Sequence, residues 1–292
     1  MPLKTAAFTA AALIGFAANS LLCRMALGPR QIDAASFTGI RLLSGTIVLA
    51  ILARATLPPG QARGGSWRSA VALFAYAAAF SYAYLRIEAG AGALILFGSV
   101  QITMVGWACL RGERPGVLEW IGLAVAFGGL AVLTVPGLAA PDPVGAGFMA
   151  VAGVAWGVYS LRGRSALRAL ADTSGNFLRS VPLGIALVAA AAGSLNISAR
   201  GAILAAVSGA IASGVGYSLW YAALPHLTAT RASIVQLSVP VLAAAGGVAL
   251  LGESPSVRLV GAGLAILGGV ALALRGRATP RAQAGSIEKF SG

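Results

Sequence analysis

The chain has 292 residues, of which 58% are hydrophobic and only 10% charged, and its mean hydropathy of +0.85 lies far above the soluble range. Such a composition excludes a water-soluble globular domain, because lipid is the solvent that accepts this much apolar surface at low cost. The formal charge of +13 does not indicate nucleic acid, since the Lys and Arg residues are scattered among short loops and are not gathered on a polar surface.

A spanning helix requires about 20 apolar residues. Charges and Pro/Gly clusters divide the chain into ten such runs, near 5–27, 33–54, 67–86, 89–111, 116–135, 143–163, 173–193, 200–223, 227–251 and 256–275. The runs are rich in Ala, Leu and Gly and lack the alternation of a barrel strand, so the expected fold is an all-α integral membrane protein. The 39 glycines are expected at helix contacts, where small residues let backbones approach.

The first run carries Phe16, Asn19, Ser20 and Cys23 at helical spacing. An intramembrane Asn needs a partner, either on a neighbouring helix or on a ligand. Lys4 and the apolar residues after it resemble a signal peptide, but cleavage would leave nine helices and an incomplete repeat, so the run is read as a retained span. Arg41 in the second run and Arg179 in the seventh are expected to snorkel toward the nearer interface. The third run opens on Trp67, an interfacial anchor, and holds Tyr76, Phe80 and Tyr84 at i, i+4 and i+8. Such a stripe is either packing or a site.

The fourth run puts Phe97, Gln101 and Met104 on one face, with Gln101 close to mid-span, and ends in the turn Gly112-Glu113-Arg114-Pro115. The fifth is small and aliphatic, with a packing face expected at Ala124 and Gly128. The sixth brings Trp156, Tyr159 and Ser160 and matches the polar and aromatic face of the first. Ser213, Gly216, Tyr217, Trp220 and Tyr221 mark the eighth, and Ser233, Gln236 and Pro240 share one face of the ninth. Pro240 lacks an N–H and should free a carbonyl one turn earlier, making it a candidate hinge. Residues 278–292 are polar and read as a disordered cytoplasmic tail.

The chain repeats itself. Residues Tyr221 to Leu274, moved back by 140 positions, fall on Ser81 to Thr134, so that Gly252, Glu253, Pro255, Gly268 and Gly269 meet Gly112, Glu113, Pro115, Gly128 and Gly129. Two five-helix repeats result, 1–135 and 144–277, joined by a periplasmic linker at 136–143 (PGLAAPDP). Five is odd, so the second copy enters the membrane inverted, an arrangement characteristic of transporters. With an inner N-terminus, fourteen Lys and Arg fall on the inner side (Lys4, Arg54, Arg63, Arg68, Arg111, Arg114, Arg162, Arg164, Arg168, Arg231, Arg275, Arg277, Arg281 and Lys289). Only five (Arg24, Arg30, Arg86, Arg200 and Arg258) fall outside, which places both termini in the cytoplasm. Cys23 and Cys109 lie near opposite ends of their spans and are not expected to form a disulfide.

The segments YAALPHLTATRAS at 221–233, Val239-Pro240, LLGESP at 250–255 and Gly268-Gly269, with GIRLL at 39–43 and GERP at 112–115, resemble both halves of an EamA-type member of the drug/metabolite transporter superfamily. The resemblance extends over nearly the whole chain. It implies ten helices with a central cavity lined by the first, third, fourth, sixth, eighth and ninth, while the fifth and tenth hold the halves together. In size and habit the chain is similar to the YddG-like exporters of aromatic and other neutral amino acids. On that resemblance Asn19, Gln101 and Gln236 would meet the polar part of the substrate. Tyr76, Phe80, Phe97, Trp156, Tyr217 and Trp220, with Tyr159 beside them, would meet its side chain.

The expectation is an inner-membrane, multi-pass exporter of neutral amino acids or related metabolites, working as a monomer by alternating access without cofactor or metal. Its partners would be a small solute and membrane lipid, with no nucleic acid. The alternative is a multidrug exporter of apolar cations, which suits the aromatic residues but lacks an anionic partner. The eight acidic residues fall at helix ends, in loops or in the tail, unlike the membrane-embedded glutamate of the small multidrug members, so movement is expected to be facilitative. A membrane enzyme would need clustered His or carboxylates, and a sugar-phosphate carrier would need basic residues in the cavity. The chain has one His and only Arg41 and Arg179 within its runs.

Overall fold

A computed structural model describes residues 3–58, 60–61, 64–87, 89–134, 142–251 and 257–275. Linker residues 136–141, the GESP turn at 252–255 and the tail at 278–292 lie outside the described residues. The helices are α1 (Leu3–Leu27), α2 (Ala34–Thr56), α3 (Trp67–Ala83), α4 (Ala89–Leu110), α5 (Val117–Thr134) and α6 (Pro143–Gly163). They continue as α7 (Ala169–Ala190), α8 (Ala199–Val207), α9 (Gly216–Ala223), α10 (Ala229–Gln236), α11 (Ser238–Leu251) and α12 (Val257–Arg275). Among the described residues extended pairing is confined to one bridge between Ile32 and Ile197.

Leu3–Leu27, Ala34–Thr56, Pro143–Gly163 and the continuous Ala199–His226 are each long and apolar enough to cross a membrane. Shorter apolar helices cover Ile95–Leu110, Val117–Gly129, Ala229–Ala243 and Gly263–Arg275. Bulky aliphatics such as Ile14, Ile51, Ile102, Ile185 and Leu264 stand exposed on the outer surface, as they must where the solvent is hydrocarbon. The protein is a membrane-embedded helical assembly.

Side-chain caps fix several starts: Asp33, Ser66, Asp142, Ser198 and Thr228 each accept a backbone N–H from the first turn of their helix. Two runs are not uniformly α-helical. The eighth passes from α8 through a π-helical segment, Ser208–Val215, before α9. The ninth breaks at Leu237, so α10 and α11 are separate helices.

Glycine contacts give the helix directions. The α5–α12 pairing is the most extensive in the molecule. A Cβ on Gly122 would lie 2.7 Å from the Ala273 Cβ, and one on Gly269 2.7 Å from the Ala126 N, so the pair is antiparallel. The packing face of α5 is therefore Gly122, Ala126 and Gly129. Ala124 and Gly128, the expected pair, are exposed, because the buried stripe runs two positions away, on another face of the helix. α2 and α7 are also antiparallel, with Gly39 against Val188 and Gly45 against Phe177. α6 runs antiparallel to α3 (Arg162 to Ser69, Trp156 to Tyr76) and parallel to α4 (Gly153 to Ser99, Gly157 to Thr103). α1 runs antiparallel to the eighth run, with Asn19 against Ser208 and Gly15 against Gly216.

The turn between α1 and α2 is tied to the turn before α8. The Asp33 N–H donates to the Asn196 carbonyl at 2.8 Å, and its carboxylate accepts from Asn196 N at 2.9 Å and Ser36 N at 2.8 Å. Partial burial pushes the Asp33 carboxyl up, but the hydrogen bonds from Ser36 and Asn196 together outweigh it and hold the group below its ordinary value. A depressed carboxylate stabilises the fold above the unfolded value of about 3.9, and that contribution is lost as pH falls through the folded value. Acid titration of thermal stability should therefore show a loss setting in below about pH 4 that is smaller in Asp33→Asn. An identical acid limb in the variant would contradict this assignment.

Candidate functional site

The aromatic residues of the third, sixth and eighth runs converge on one ring, Trp156 of α6. Its centroid lies 5.0 Å from Phe16, 4.9 Å from Tyr76, 4.7 Å from Tyr217 and 5.6 Å from Tyr159. Such tilted, edge-on and stacked pairs add about 0.5–1.5 kcal/mol each beyond their area. The indole N–H donates to Gln236 Oε1 at 2.5 Å, while Gln236 Nε2 donates to the Ala232 carbonyl at 2.9 Å and reaches Met104 Sδ at 3.4 Å. Gln236 is the last residue of α10. Pro240, four residues on, cannot donate to the Gln236 carbonyl. Pro240 thus sits in the first turn of α11, where a missing N–H is tolerated, three residues after the break at Leu237.

A cavity of about 20 Å³ lies against these rings. Phe16 and Ser20 come from α1, Tyr76 and Phe80 from α3, Leu96 and Phe97 from α4, Trp156 from α6, Gln236 from α10 and Val239 from α11. The space suits roughly one water molecule. Tyr76, Phe80, Phe97, Trp156 and Gln236 of the expected site line it directly. Tyr217 stands one layer out, 6.4 Å from the Tyr76 ring. Trp220 packs on Phe16 at 5.6 Å and donates to Ser160 Oγ at 3.0 Å, and Tyr159 stacks on Tyr221 at 4.7 Å.

The remaining two amides are engaged elsewhere. Asn19 accepts from the Ser208 hydroxyl at the start of the π segment, a contact between helices. Gln101 donates to the Ser233 carbonyl at 2.8 Å, and its buried Oε1 has no hydrogen-bond partner among the described residues. Gln101 also borders an apolar groove of about 490 Å³ between α4 and α5, walled by Val105, Trp120, Leu123 and Phe127.

Arg41 corrects the sequence reading. It does not snorkel: the side chain is 1% exposed, with Nε donating to Ser213 Oγ at 2.9 Å and Nη2 to Tyr217 Oη at 2.5 Å. The guanidinium carbon lies 5.3 Å from the Tyr76 ring and 5.9 Å from the Phe80 ring. The physical reason is the neighbour. The π segment brings Ser213 and Tyr217 to α2, giving the cation polar partners in the interior that lipid would deny it. Arg179, by contrast, reaches the Gly64 and Gly175 carbonyls beside the α2–α3 turn. Phe16 was legible as the 140-residue counterpart of Trp156. Leu96 and Val239 carried no chemical signal in the sequence.

Four similarities to known proteins bear on this arrangement. Residues 143–275 match the EamA-like transporter family. An uncharacterized protein of Pseudomonas aeruginosa is 49% identical over 283 residues, 97% of this chain and 99% of that protein. An uncharacterized transporter of Archaeoglobus fulgidus is 28% identical over 190 residues, 62% of this chain and 67% of that protein. A solved crystal structure with 21% identity superposes at a TM-score of 0.75 over 91% of this chain and 98% of the other, a likeness of fold. The second half of the chain, residues 143–275, thus matches the EamA-like transporter family, and nearly the whole chain shares the fold of the solved structure.

Proposed function

We propose that this transporter exports neutral amino acids with aromatic or other apolar side chains, and related small metabolites, across the inner membrane by alternating access. The observation that carries the reading is the cavity beneath Trp156, whose walls come from α1, α3 and α4 on one side and α6, α10 and α11 on the other. A site at the meeting of two halves is exposed to either side when the halves rock. At about 20 Å³ it is closed to an amino acid, so binding requires the rings to part. We read the architecture as ten spans in two inverted repeats with cytoplasmic termini. The helix directions support this, because α1 meets the eighth run antiparallel just as α6 meets α3, and α2–α7 and α5–α12 pair across the repeats.

A panel of radiolabelled neutral amino acids in proteoliposomes tests the proposal. Saturable uptake above protein-free vesicles is expected, and Gln101→Ala, which removes the amide bonded to the Ser233 carbonyl, should slow it. The amino-acid reading falls if no member of the panel is transported or competes. Facilitative movement falls if a pH gradient drives accumulation uphill and one titratable residue abolishes it.

A further inference from the structure

Arg41 is a buried cation without a fixed counter-charge among the described residues. The described acidic side chains are engaged at helix ends and turns: Asp33 and Asp142 cap α2 and α6, Glu113 pairs with Arg164, Glu119 with Arg231, and Asp172 accepts from Gly65 N. Among the described residues the guanidinium is surrounded by groups without a formal negative charge: the hydroxyls of Ser213 and Tyr217, the rings of Tyr76 and Phe80, the Cys23 thiol and the Tyr76 hydroxyl. Its Nη1 is buried and has no hydrogen-bond partner among the described residues. A buried charge is tolerated when it is paired, and aromatic faces with neutral acceptors offset only part of that need.

We propose that Arg41 is the anion receptor of the central site. Its free Nη1 takes the carboxylate of the transported solute by a charge-assisted hydrogen bond, the interaction for which a guanidinium is best shaped. Tyr76 and Phe80 flank the guanidinium and also line the cavity, so a solute held at Nη1 keeps its apolar part among those rings. The substrates are then small carboxylates, zwitterionic amino acids included, and organic cations are excluded by the same charge. This rests on the central cavity being the solute site.

The test uses the purified full chain and four probes in a binding assay: phenylacetate, L-phenylalanine, phenethylamine and chloride. Phenylacetate and L-phenylalanine should bind, phenethylamine should not, and Arg41→Gln should weaken carboxylate binding at least tenfold. Arg41→Lys keeps the charge but not the fork; it should fold like wild type and lose affinity to an intermediate extent. The receptor is overturned if phenethylamine binds as tightly as phenylacetate, if Arg41→Lys binds carboxylates as wild type does, if chloride binds without competition from carboxylates, or if no carboxylate binds. If phenylacetate binds through Arg41 while no amino acid is transported, the receptor stands and the amino-acid reading falls.

Discussion

Trp156→Ala should reduce transport of aromatic and aliphatic amino acids at least tenfold, measured as counterflow in proteoliposomes. Truncating a buried Trp costs about 3–5 kcal/mol in a well-packed core, and here the ring touches Phe16, Tyr76, Tyr159 and Tyr217 at once. It also removes the donor to Gln236 Oε1, leaving a buried acceptor bare. Trp156→Phe separates the two effects. The aromatic contacts largely persist while the N–H is lost, so the protein should fold with a smaller drop in melting temperature and still transport more slowly than wild type. Monodisperse Trp156→Ala protein with an unchanged rate would remove the central cavity from the transport path.

Gly209→Val should be the most damaging single substitution for the fold. A Cβ at this position would overlap the Arg41 carbonyl oxygen and the Ser44 hydroxyl, and a backbone carbonyl inside α2 has no way to retreat. Overpacking typically costs 1–3 kcal/mol, which corresponds to a fall in melting temperature of roughly 2–12 °C. Because the obstruction is backbone, the upper end or outright failure to accumulate is expected. Gly106 and Gly147 have open space where a Cβ would stand, so Gly106→Ala and Gly147→Ala serve as controls with unchanged melting. A Gly209→Val protein that melts with the controls would mean that α2 and the π segment do not approach as described.

Much of this architecture was legible in the sequence because apolar runs and their interruptions are long-range, redundant signals. Run boundaries at Leu27, Trp67, Pro143 and Gly163 coincide with helix ends. Trp156 and Tyr76 were legible for a related reason: several phenol and indole groups at helical spacing are more than lipid packing needs. What escaped detection depends on contacts between distant segments. Arg41 looks like any snorkelling residue until Ser213 and Tyr217, over 170 positions away, stand beside it. Nothing in the composition of 208–215 separates a π turn from an α turn. The break at Leu237 was half visible, since Pro240 announced a disturbance but not that a new helix would begin before it.

The π segment has one more consequence. An i→i+5 turn takes up more residues than an α turn, so eight residues of it alter the azimuth at which every later side chain leaves the helix. Tyr217 and Trp220 follow it directly, and each residue of an α-helix turns the axis by about 100°. Deleting one residue between 208 and 215 would let the segment relax toward α geometry and swing both rings away from Arg41 and Phe16. The partners of the central site are thus set by the number of residues in this segment as well as by their identity.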